Sequence, residues 1–187
     1  MSLAKNTDLT AESFADFVQR LRHDVRGEGV RDHCTADAIF VVQEKRYCYG
    51  IDRAYTEDVA VLLEDCSWRS PSEYWKDASD ECRAELDKMA DGMHNKAFLS
   101  LDVEDQWDLL ADLDDHTVTG YAERWEYVNS HFTKDAAEAF IARKKHDYRD
   151  GLRVYVDAQS YCWEFNAIIE GLLSGKIAYV ETKGGAA

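Results

Sequence analysis

His33 and Cys34 stand side by side in an Asp-His-Cys run. A thiol and an imidazole can make a nucleophile and its base, but sequence neighbours pair only where the backbone turns both toward one point. The expectation is therefore a buried or loop thiol. Asp112, Asp114, Asp115 and His116, in DLDDH, are donors suited to a hard cation. That segment lacks the glycine and terminal glutamate of a calcium loop, so no metal ligand is nominated. Lys144, Lys145 and His146 cluster where a helix should end, and the helix dipole accounts for them without a ligand. There is no Gly-rich phosphate loop, no H-E-x-x-H and no G-x-S-x-G. The reading is a non-enzyme with no catalytic residue and no cofactor. The five cysteines, Cys34, Cys48, Cys66, Cys82 and Cys162, include no C-x-x-C pair and read as free thiols in a reducing compartment.

Carboxylates carry the stronger signal. The chain has 37 Asp and Glu against 22 Lys and Arg, a net charge of −15 over 187 residues. Residues 57–115 hold 18 acids and 5 bases, so a net −13 falls in that stretch. The flanks are close to neutral. Such a chain repels nucleic acid at long range and favours basic partners that bind fast and salt-sensitively. Within the block, Glu73, Asp77, Asp80, Asp87 and Asp91 share one sector of a helix expected over 72–91. Asp105, Asp108, Asp112 and Asp115 line one side of a helix expected over 102–113. Residues three or four apart on a helix sit about 5–6 Å apart, close to the phosphate spacing along a nucleic-acid strand. The plain alternative is a solvated face.

The elements that must position these rows follow from periodicity. Phe14, Phe17, Val18 and Leu21 give residues 11–26 an apolar helical face, with Thr10 as N-cap and Gly27 as stop. Residues 38–49 and 59–63 read as strands. In the acidic block, Tyr74, Ala78, Cys82, Leu86 and Met89 face inward from the first helix, and Val103, Trp107, Leu110 and Leu113 from the second. Residues 118–128 form a strand on which Tyr121, Trp125 and Tyr127 alternate as core. Thr133 caps a helix over 134–146, residues 152–157 form a strand, and the last helix, 160–174, packs Trp163, Ala167, Ile168 and Leu172 inward. This order predicts an α+β fold: a small β-sheet packed by helices. It reads as a single domain, 1–187, with an acidic helical insertion over 66–116 and a disordered tail, 183–187. No apolar run is long enough to span a membrane, and Met1 to Thr10 lack a secretory pattern. Both point to the cytosol.

Residues 120–173, with RWEYV, FT, KKH and RVYVD, together with residues 32–52, resemble a module of small uncharacterised accessory proteins of tailed phages and prophages. The two segments cover roughly 40% of the chain, and the acidic block has no counterpart in them. The resemblance transfers no catalytic residue. It implies an accessory protein working in the bacterial cytosol. Joined to the charge, it predicts an inhibitor of a host nucleic-acid-binding defence system, of anti-restriction or anti-CRISPR type, acting by nucleic-acid mimicry. The partner is then a host protein or complex with a basic groove, and neither nucleic acid nor membrane is bound directly. The competing expectation is an accessory or assembly protein that binds another protein through aromatic surface, with its acidity serving solubility. A homodimer is left open.

Overall fold

The computed structural model describes residues 8–33 and 35–181. Cys34 and the tail 183–187 lie outside them. Among the described residues are seven α-helices and five strands. The helices are α1 (Ala11–Arg26), α2 (Val30–His33), α3 (Pro71–Asp77), α4 (Asp80–His94), α5 (Val103–Ala111), α6 (Lys134–Lys144) and α7 (Trp163–Leu173). The strands are β1 (Ala38–Ile51), β2 (Val59–Leu63), β3 (Cys66–Trp68), β4 (Thr117–His131) and β5 (Leu152–Ala158). The strands make one antiparallel sheet in the order β3-β2-β4-β1-β5. The fold is α+β.

The chain divides into two compact units, residues 1–46 with 125–187, and residues 47–124. Each has its own hydrophobic core. In the first, Leu21 and Val25 of α1, Phe40 and Val42 of β1, Ala137 of α6 and Ile169 and Leu173 of α7 pack together, joined by Val154 and Val156 of β5. Phe40 and Val42 alternate with Ile39 and Val41, so one sheet face meets the three helices and the other faces away. Register across β1 and β5 runs from Ala38 opposite Ala158 to Glu44 opposite Leu152. Thr10 caps α1 as its sequence position predicts, accepting from the Ser13 amide while Ser13 reciprocates. Thr133 stands at the N-cap of α6, yet its hydroxyl accepts from Arg20 of α1. The first-turn amide of Lys134, which has no partner within the helix, is satisfied by Asp24, a buried carboxylate of α1, at 2.9 Å. A tertiary carboxylate thus does the capping that the local sequence assigns to Thr133.

The second unit holds Val61 of β2, Tyr74 of α3, Leu86 and Ala90 of α4, Phe98, and Trp107, Leu109 and Leu110 of α5 in one cluster. Each fully buried leucine contributes about 1.5–3 kcal/mol. Trp75 stacks on Phe98 with ring centroids 5.3 Å apart. The helix expected over 72–91 is two helices. Ser70 caps α3 and Ser79 caps α4, each accepting from the amide three residues on. Ala78, extended at φ −61°, ψ 148°, separates them. A second serine cap inside an apolar run ends one helix and starts another, and the run alone does not reveal it. The helix expected over 102–113 stops at Ala111.

Candidate functional site

The acidic helices place the nine nominated carboxylates in two sets. Six hold the fold. Glu73 accepts from the Arg69 amide at 2.9 Å, and Asp77 from the Trp68 indole at 2.9 Å. Asp87 accepts from the amide of buried Phe98 at 3.0 Å. Asp80 pairs with Arg83 at 3.2 Å, and Asp105 lies 3.6 Å from His94 Nδ1. Asp108 and Glu104 share the two arms of Arg53, at 3.0 and 3.1 Å. The other three, Asp91, Asp112 and Asp115, are exposed and without a side-chain partner among the described residues.

Neither row survives as a straight ladder. Glu73 and Asp77 belong to α3, and Asp80, Asp87 and Asp91 to α4, so the first row is broken at Ala78. In the second, only Asp105 and Asp108 lie within α5. Asp112 is its C-cap, and Asp115 sits beyond it in a left-handed turn at φ 62°. The regular phosphate-like spacing expected over 105–115 therefore ends at Asp112. The charge itself is undiminished. Residues 47–124 carry 20 acidic side chains against seven basic ones, a net −13 in one compact unit.

Other candidates resolve into structural roles. In DLDDH, His116 Nδ1 faces the Asp114 carbonyl at 2.7 Å, which obliges that nitrogen to donate. The Tyr74 hydroxyl, 2.8 Å from Nε2, then donates to the ring. Burial, with Cys82 adding to it, pushes the Tyr74 hydroxyl up to about 12. No cluster of metal-binding residues occurs among the described residues. His33 Nε2 donates to the Asp24 carbonyl at 2.9 Å, and its ring stands edge-on to Phe40. It thereby closes α2 onto α1. In the Lys144–His146 cluster, Asp147 accepts from Lys144 at 2.7 Å and meets His146 at 3.0 Å. The Lys144 bond is the main reason that the lysine is raised and Asp147 lowered from their ordinary values.

Two apolar features lie on the opposite side from where the sequence put them. Trp163, Ala167 and Ile168 of α7 point to solvent, while Phe165, Ile169, Leu172 and Leu173 pack. Helix α7 is apolar nearly all round, so periodicity could not choose its inner face. On β4, Tyr127 is 65% exposed, and with Trp125 it belongs to an uncovered sheet face instead of the core. That face also carries Arg153 and Tyr155 of β5. The Arg153 guanidinium lies 4.1 Å over the Trp125 ring, and its Nε donates to Gln43 Oε1 at 2.9 Å. The alternating Tyr-x-x-x-Trp-x-Tyr and Arg-x-Tyr pattern on two strands was the available signal for it.

Comparisons with protein-family models, with curated proteins and with solved structures return no match. Nothing in them links residues 32–52 or 120–173 to phage accessory proteins. No helix among the described residues is long and apolar enough to cross a membrane.

Proposed function

We propose that the chain is a binding protein whose acidic unit, residues 47–124, docks on a protein surface rich in Lys and Arg, of the kind that holds nucleic acid. The observation behind this reading is the net −13 gathered into one compact unit. A field of one sign speeds encounter with a surface of the other and repels wrong partners. Asp91, Asp112 and Asp115 are the contact carboxylates, because their charge is not committed to the fold. In its finer form the protein inhibits a restriction or RNA-guided nuclease by occupying the basic groove. That form adds the resemblance to tailed-phage proteins to the same charge.

The test is retention of a basic nucleic-acid-binding protein at low salt and its displacement by duplex DNA. At about 0.5 M salt the Debye length is only a few ångströms and the complex should come apart. Each exposed charge pair contributes about 0.5 kcal/mol, so changing Asp91, Asp112 and Asp115 together to Asn should weaken binding roughly tenfold. Binding indifferent to salt and DNA would count against the proposal.

A second reading has its own observation. The outward Trp163 and Ile168 of α7, with Tyr161, are apolar and aromatic surface left exposed by the described residues. A partner held there would stay bound in high salt, which is the assembly-protein reading with acidity serving solubility.

A further inference from the structure

The uncovered sheet face of the unit formed by residues 1–46 and 125–187 has a built arrangement of groups that the acidic unit does not involve. Its floor is Ile39 and Val41 of β1, and Tyr127 and Tyr155 flank it, on β4 and β5 to either side. The cavity between them measures about 440 Å³. Strands one removed from each other lie about 10 Å apart, so a flat ring entering the cavity has an aromatic side chain on either hand. Tyr127 is 65% and Tyr155 47% exposed, so both rings offer a face. Around the rim, Ser130 Oγ donates to the Tyr127 hydroxyl at 3.2 Å and Gln159 Nε2 to Asp157 at 3.1 Å, which leaves the Gln43 amide nitrogen and the second Asp157 oxygen for the base edge, with the Asp157 charge keeping the phosphate to the Arg153 side.

Arg153 adds the charge. Its side chain is held on both flanks, by the Trp125 ring at 4.1 Å and by Gln43 at Nε. The Tyr155 ring lies 5.6 Å away. Nη1 and Nη2 have no hydrogen-bond partner among the described residues, so the fork is oriented in advance and open to an oxyanion. A second cation, Lys45, lies 5.5 Å from the same Trp125 ring. Aromatic walls, an apolar floor, planar polar rim groups and an oriented guanidinium together match a flat heterocycle that carries a phosphate.

We propose that this face binds a nucleoside phosphate, with its base between Tyr127 and Tyr155 and its phosphate on Nη1 and Nη2 of Arg153. The same chemistry occurs in a free mononucleotide and in a residue of a single strand. A net charge of −15 repels a polyanion more than a single phosphate, so the free mononucleotide is the tighter ligand.

The experiment is isothermal titration of the full chain with AMP, GMP, CMP and UMP, with a single-stranded oligonucleotide of about ten residues, and with inorganic phosphate. At least one monophosphate should bind with a dissociation constant below about 1 mM, and more tightly than phosphate alone. Arg153→Gln and Tyr155→Ala should each weaken it about tenfold or more, with the thermal unfolding midpoint retained. Tyr127→Ala probes the other wall should either of those fail to fold. Tighter binding of the oligonucleotide would assign the site to a strand. No saturable binding of any monophosphate or of the oligonucleotide at several millimolar, or binding unchanged in the variants, would overturn the proposal. The acidic-unit reading survives either result, because that reading involves none of these residues.

Discussion

Replacing Asp87 with alanine separates carboxylates that hold the fold from those left to solvent. Asp87 Oδ1 takes the Phe98 amide at 3.0 Å. Phe98 is fully buried and stacked on Trp75, so its amide has nowhere else to turn once the carboxylate is gone. A hydrogen bond to a charged acceptor contributes about 1.5–3 kcal/mol. For a chain of this length 1 kcal/mol moves the unfolding midpoint by about 2–4 °C, so a loss of about 2 kcal/mol lowers it by about 4–8 °C. Asp91 is the internal control: one turn further along α4, also a carboxylate, exposed and without a side-chain partner among the described residues. Asp91→Ala should stay within about 0.5 kcal/mol of the parent, or about 2 °C. Thermal unfolding followed by far-ultraviolet circular dichroism reads both. Asp87→Ala melting with the parent, or Asp91→Ala falling as far, would refute this division of the carboxylates.

Tyr74→Phe removes the hydroxyl that donates to His116 and should cost about 1–2 kcal/mol in urea unfolding, since the His116 ring then faces an apolar edge; an unchanged midpoint would remove this bond from the account. His131 Nε2 is buried and has no hydrogen-bond partner among the described residues, and burial first, then Arg143, hold its pKa below the usual value. The unfolded chain therefore takes up a proton there before the folded one does. Stability from this group is complete above about pH 6.5 and declines as pH falls from there toward the lowered folded pKa. His23, raised chiefly by its bond to Asp24, changes in the opposite sense, so the His131→Gln difference in urea midpoints between pH 7 and pH 5 isolates the effect; a His131→Gln chain that loses as much stability as the parent would contradict it. Asp105→Asn with Asp108→Asn should lower stability more than binding, because these carboxylates serve His94 and Arg53, whereas Asp112→Asn with Asp115→Asn should do the reverse.

The α+β class and most elements were legible because the local signals agreed. The Thr10 cap and the Phe14–Leu21 spacing define α1, and the β-branched run at 38–42 defines the start of β1. The break at Ala78 was not legible, since Tyr74 and Leu86 keep one apolar phase across it and the cap at Ser79 is one serine among several. Strand β3 is three residues long, too short for alternation to show. The acidic rows were visible as charge but not as bonds. Nothing in the spacing of Asp77 or Asp87 says that Trp68 Nε1 or the Phe98 amide will reach them, because those contacts are made by segments brought alongside in the fold. The same holds for Arg153 on Trp125, which joins two strands 28 positions apart in sequence. For α7, an excess of apolar residues hid which side packs.

On the proposal above, residues 47–124 bind a basic surface through Asp91, Asp112 and Asp115. The most direct test is paired affinity capture from a bacterial lysate, using the parent chain and the Asp91→Asn, Asp112→Asn, Asp115→Asn variant side by side. A nucleic-acid-binding protein should be retained by the parent, released by duplex DNA or by about 0.5 M salt, and held roughly tenfold less well by the variant. Equal capture by both chains, unaffected by salt and DNA, would contradict it.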